Sequence, residues 1–227
     1  TFRAAAQIVS YEVPLGLSVM CVVVVCDTLD LHAISLAQAG QTEDVSFFLG
    51  IPAFDTTGWG GIFGWNVIRM PLLFFAWILF FISSLAEANR TPFDLPQAES
   101  EVVAGFLTEY SGFRWAVIML AEYGMMLLVS ILGAVLFFGS WSTPFVDIGS
   151  FRMGYWTSGE PGSWGSTSWG IFWLLSKSLF FVSVQIWIRW TYPRLRVDQL
   201  MALSWKYLTP FGLIVLVLCA LWKLITL

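Results

Sequence analysis

Apolar residues run along this chain in long blocks parted by polar stretches, and the blocks predict helices that cross a membrane. The first covers about residues 4–26 and includes SYEVPLGLSVMCVVVVC. Pro14 lies inside it and has no N–H to offer, so the Ser10 carbonyl loses its helical partner and a kink is expected beside Glu12. Further blocks fall at about 67–86, 113–138, 171–190 and 207–221. About 20 apolar residues suffice to cross the hydrocarbon. The polar pattern predicts two long, glycine-rich connectors, 27–66 and 139–170, and two shorter ones between the remaining blocks. A short helix is expected near Ile34 to Ala39. No internal repeat and no low-complexity stretch is visible. The expected fold is all-α: one polytopic transmembrane domain, 1–227, with five membrane helices, a structured acidic cytoplasmic loop and two long noncytoplasmic connectors.

Composition strengthens that reading. A chain 58% hydrophobic, 17% aromatic and 11% charged is too apolar for a soluble domain. Its net charge of −4 says little about partners, because the acids are spread over both sides. Orientation follows from the cations: Arg3, Arg90, Arg114, Arg189, Arg194, Arg196 and Lys206 gather on one side, which is expected to face the cytoplasm or an organellar equivalent. The opposite side carries Trp59, Trp65, Trp141, Trp156, Trp164 and Trp169, several of which suit an aromatic belt. Lys177, within the fourth block, reads equally well as a snorkelling cation or as a functional one. Cys21, Cys26 and Cys219 lack pairing or metal-ligand spacing and read as packing residues, while His32 is solitary, so no metal site is expected. The chain opens on Thr1 without a signal-peptide pattern and is expected to begin mid-protein.

One polar stretch carries more organised acid than a connector needs. AEANRTPFDLPQAESEVVAGFLTEYSG, from Ala86 to Gly112, holds Glu87, Asp94, Glu99, Glu101 and Glu109, with Arg90 as its cation and Arg114 just beyond. Pro92 restricts Thr91 to extended backbone and is expected to stop the helix before it. Asp94 ahead of Pro96 suits the start of a short helix, with Glu99 and Glu101 in its opening turns.

Carboxylates also recur at membrane depth. Glu12 lies nine residues past Arg3 and Glu122 eight past Arg114, which at helical rise places each ~12–14 Å along its span. Glu87 closes the second block on the same side. A mid-membrane carboxylate costs ~3 kcal/mol to insert and usually faces an interior or watery cavity. Glu12 alone reads as a helix-start acid and Glu87 alone as a loop residue, but Glu122, within WAVIMLAEYGMMLLV, has no comparable bland role. Such a cluster can relay protons, line a cation path or dock a soluble partner. No nucleophile elbow, phosphate loop or metal-ligand spacing is present. A channel or secondary transporter is expected to show repeated halves, and a purely structural anchor has no use for Glu122.

Three segments carry a resemblance. AEANRTPFDLPQAESEVVAGFLTEYSGFRWAVIMLAEY, RAAAQIVSYEVPLGL (Arg3–Leu17) and WIRWTYPRLRVDQLMALSWKYLTP (Trp187–Pro210) resemble signatures of the H subunit of proton-pumping NADH–quinone oxidoreductase, respiratory complex I, called subunit 1 in mitochondria. The resemblance implies a membrane protein that forms the quinone tunnel and the start of a buried acid chain. By motif, Glu12, Glu87 and Glu122 resemble the proton relay, and Arg90, Asp94, Glu99, Glu101, Glu109 and Arg114 the charged loop beside the quinone cavity. Arg194, Arg196 and Asp198 resemble the last cytoplasmic loop, which supports the interface between subunits. Quinone is implied as substrate, with iron–sulfur clusters and FMN in partner subunits and no cofactor on this chain. The implied partners are the hydrophilic quinone-module subunits, adjacent membrane subunits and the bilayer, with no nucleic acid. The implied location is the bacterial inner membrane, or an organellar inner or thylakoid membrane. The family's first three spans and an amphipathic helix have no counterpart here, and connector 27–66 is longer than the pattern. Related ion-pumping hydrogenases and ferredoxin–quinone oxidoreductases share the architecture and stay open as alternatives, as does a cation channel or transporter.

Overall fold

The computed structural model describes residues 2–39, 61–93, 112–146, 164–193 and 195–226, and among them every regular element is helical. The elements are α1 (Phe2–Cys26), α2 (Leu31–Gln38), a 3₁₀ turn (Gly61–Gly64), α3 (Asn66–Arg69), α4 (Pro71–Glu87), α5 (Phe113–Phe137) and α6 (Trp164–Thr191). They are followed by α7 (Val197–Ala202), a π-helical turn (Leu203–Leu208) and α8 (Thr209–Thr226). Among the described residues four segments are long and apolar enough to cross a membrane: Gln7–Cys26, Phe113–Phe137, Gly165–Thr191 and Asp198–Ile225. α4 is shorter, at 17 residues. The block expected to begin at residue 67 is divided at Met70, which is extended (φ −122°) because the ring of Pro71 excludes helical backbone in the residue before it. Pro71 then opens α4, where a missing N–H costs nothing.

α1 packs against α4 and α8, α4 against α5, and α5 against α6. Cys21, Val22, Leu73, Ala76, Phe80, Leu136, Phe137 and Cys219 form the larger core. All three cysteines are free, and Cys21 and Cys219 both lie inside that core. Helices in lipid gain little by hiding apolar surface, so close approach matters more. A Cβ on Gly212 of α8 would sit 3.0 Å from Leu79 and 3.2 Å from Leu17, so the bare glycine lets three helices meet. Trp187, Trp190, Leu224 and Ile225 face outward, as suits a chain whose solvent is hydrocarbon.

The end of α5 is closed by side chains from elsewhere. The last carbonyls of a helix have no partners within it. Gln38 of α2 donates to Val135 O (2.9 Å), and Asn66 of α3 donates to Leu136 O (2.8 Å). The Gln38 Oε1 accepts from Gly139 N at 2.7 Å. Lys177 Nζ donates to the carbonyls of Phe138, Ser140 and Ser142 at 2.7, 3.0 and 2.7 Å, and sits 4.7 Å from the centre of the Trp65 ring. Lys177 therefore caps α5 instead of snorkelling: a cation at a helix C-terminus meets both the dipole and the orphan carbonyls.

Candidate functional site

The opposite end of the bundle gathers the acids. α4 stops at Glu87, earlier than Pro92 requires, because Asn89 turns left-handed (φ +48°). Asn89 N donates to Ala86 O and Arg90 N to Leu85 O, both at 3.2 Å, the bonding pattern of a Schellman motif. Asparagine is the residue other than glycine that best tolerates that backbone. The reversal turns the chain back over the helix end, and Phe93 N then donates to Arg90 O at 2.7 Å. Thr91–Pro92 is cis.

The first and last signature segments hold this turn. Gln7 of α1, 1% exposed, donates to Phe93 O at 2.8 Å. Tyr11 packs edge-on against Phe93 with ring centres 5.3 Å apart, and its hydroxyl donates to Leu200 O at 3.0 Å. Leu195 N donates to Pro92 O at 3.2 Å. Three segments far apart in sequence thus meet at one place, around a second core of Tyr11, Leu85, Ala86, Phe93, Leu200 and Leu208.

Arg90 is the centre of the site. It is 6% exposed, with its guanidinium 4.4 Å from the Tyr123 ring centre and Nη2 3.9 Å from Glu122 Oε2. Charged groups rarely stay buried without a partner. Here the partner is the one carboxylate that the pattern placed deep in α5, and the adjacent aromatic face adds a cation–π contact. A cavity of about 150 Å³ opens beside the pair, lined by Arg90, Tyr123, Met126, Gln185, Arg189 and Trp190 among others. Gln185 of α6 is 2% exposed and donates to Ser130 Oγ at 3.4 Å, while its Oε1 accepts no hydrogen bond from the described residues. The Nε and Nη2 of Arg90 likewise donate no hydrogen bond to the described residues. The cavity is polar on one wall and aromatic on another.

Glu87 and Glu12 stand near each other. Glu87 is half-buried with Oε2 covered, and the exposed carboxylate of Glu12 is close enough for the two negative charges to repel. Arg114, Arg196 and Asp198 are exposed at helix starts, and Arg196 N donates to Gln199 Oε1 at 3.2 Å. The structure therefore brings together Glu12, Glu87, Arg90 and Glu122 at one end of the bundle. Asp94, Glu99, Glu101, Glu109 and Arg194 lie outside the described residues, as does the short helix expected after Asp94. Among the described residues no three His, Cys, Asp or Glu side chains gather into a metal-binding group.

Residues 1–220 match the protein family described as NADH dehydrogenase. The chain is 52% identical over 230 residues to H subunit 2 of the NADH-quinone oxidoreductase of Cytophaga hutchinsonii, covering 97% of this chain and 62% of that protein. It is 46% identical over 220 residues to the H subunit of the NADH-quinone oxidoreductase of Chlorobaculum parvum, covering 97% and 54%, and 39% identical over 225 residues to that of Anaeromyxobacter dehalogenans, covering 98% and 50%. The chain belongs to the family of NADH-quinone oxidoreductase H subunits. It spans between half and somewhat under two thirds of the length of these relatives.

In this member of the family, sequence reasoning overlooked Tyr123 and Gln185 and counted Arg189 only as a topology signal. Gln185 was findable: a lone amide within the apolar run FFVSVQIWI has to be satisfied or used. Tyr123 gave no signal of its own, because aromatics beside apolar residues are what any membrane helix shows.

Proposed function

We propose that this chain is the quinone-facing membrane subunit of a proton-translocating NADH–quinone oxidoreductase. Five helices cross the bilayer in this reading, α4 among them, with the acid-bearing end at the cytoplasmic side of a bacterial inner membrane. The chain contributes the wall of the quinone tunnel and the first carboxylates of the proton path, while FMN and iron–sulfur clusters reside in partner subunits. The observation that carries the proposal is Arg90, buried against both Glu122 and Tyr123 beside a cavity with a polar and an aromatic wall.

The chemistry follows from charge. Arg90 is the counter-charge of Glu122, 3.9 Å away. Electron arrival on a quinone at the cavity mouth creates negative charge that competes for the same guanidinium. Arg90, Asp94, Glu99 and Glu101 then reorganise, and Glu122 is released to take a proton. Glu87 and Glu12 respond together, because their two negative charges repel. The resulting conformational step carries the signal towards adjacent membrane subunits. Arg194, Arg196 and Asp198 support the interface with the hydrophilic quinone-module subunits.

Glu122→Gln in the assembled complex is the direct test. Quinone reduction and proton pumping are expected to fall while assembly persists; normal turnover with normal pumping per electron removes Glu122 from the relay. The loop is tested by Glu99→Gln combined with Glu101→Gln, which is expected to slow quinone turnover or lower pumping. Wild-type values in a fully assembled enzyme reduce the loop to a docking surface.

A further inference from the structure

Pro14 breaks the hydrogen-bond ladder of α1 one turn after Ser10, and the break lies beside Glu12. A buried carbonyl left open in this way needs a donor from elsewhere. Ser204 supplies it: its hydroxyl, on a residue with 0% exposure, donates to Ser10 O at 2.5 Å. Ser204 lies in the π-helical turn Leu203–Leu208, where the wider i→i+5 ladder inserts a residue into the helix. Thr209 closes that turn, donating to Ser204 O from its backbone N–H and from Oγ1, the latter at 2.9 Å. Pro210 follows and could not itself donate to the ladder. Beside Ser204, Trp205 Nε1 donates to Ser10 Oγ at 3.0 Å, and Ser10 Oγ in turn contacts Met201 Sδ at 3.7 Å. One irregular helix therefore repairs another, 194 residues away in sequence.

We infer that Ser204 is a positioning residue for Glu12, completing the helix ladder that Pro14 interrupts and so fixing the turn of α1 that carries this carboxylate next to Glu87. The inference rests on the proposed proton-relay role of Glu12. It also gives the α7–π-turn segment a mechanical consequence: displacement of the segment that begins at the interface loop acts on the Ser10 carbonyl and thereby on Glu12.

The test is a double-substitution cycle in the assembled, membrane-embedded complex, read as protons pumped per quinone reduced. Pro14→Ala restores an N–H able to reach Ser10 O, so Ser204 should matter in the wild-type background and not in that of Pro14→Ala. Ser204→Ala is expected to lower the pumping ratio with proline present, because a misplaced group far from the chemistry still costs coupling, and to leave it unchanged with alanine at position 14. An equal loss in both backgrounds, or no loss in either, overturns the inference. If Ser204→Ala does not assemble, Ser204→Cys, which keeps a weak donor in place, is read in the same two backgrounds. Glu12→Gln separates the two layers: a normal pumping ratio in that variant defeats the relay role, whereas a lowered ratio beside a silent Ser204→Ala defeats only the positioning role.

Discussion

The two ends of the bundle hold their buried cations differently. At the C-terminal end of α5, Gln38, Asn66 and Lys177 reach in from three other elements and occupy the carbonyls of Val135, Leu136, Phe138, Ser140 and Ser142. At the acid-bearing end, Arg90 stands against Glu122 at 3.9 Å, and buried atoms of Arg90, Glu87, Asn89 and Gln185 make no hydrogen bond to the described residues. Unsatisfied buried polar atoms are costly, on the order of 1–3 kcal/mol each. The difference teaches that two buried cations of one bundle can do unrelated work: Lys177 of α6 has its donors filled by fixed carbonyls, while Arg90, in the turn after α4, meets a carboxylate and an aromatic face.

Substitutions at the closed end should act on stability and spare coupling, and the largest effect belongs to Lys177→Met. It strands three carbonyls and removes the cation over Trp65, so a loss of about 3 kcal/mol is expected, visible as a lower thermal denaturation temperature of the solubilised complex. A reduced pumping ratio at unchanged stability would erase the contrast between the ends. Gly139→Ala should follow at about 2 kcal/mol, because φ is +71° there and a Cβ would press on Trp65 and Ser142. Its check is the same denaturation measurement, with the assembled fraction pumping normally.

At the open end the signs reverse. Arg90→Gln is expected to slow quinone turnover about tenfold, equivalent to ~1.4 kcal/mol, with little change in denaturation temperature. Loss of assembly with normal turnover in the surviving complex would instead make Arg90 a brace like Lys177. Arg189→Gln, at the cavity wall but exposed, should give the smallest effect, about threefold in turnover and weaker still at high salt, where exposed charges are screened. Initial rates at two ionic strengths decide it.

Much is legible in the chain alone. Block lengths and hydropathy announce membrane helices, because a chain in hydrocarbon must satisfy its backbone within each segment, and that requirement is local. The depth of Glu122 in its apolar run is equally readable, since helical rise converts sequence distance into height. The signature segments point to the family, and the relatives bear that out. Tertiary structure decides the rest. Only packing could show that Asn89 swings Arg90 onto Glu122 and Tyr123, that Lys177 caps a neighbouring helix, and that the carbonyl freed by Pro14 meets Ser204. Periodicity reports the height and face of a residue on its own helix but carries no information about the rotation and offset of the helix beside it. A partner 32 residues away, like Glu122 for Arg90, or 194 away, like Ser204 for Ser10, is set by those two quantities.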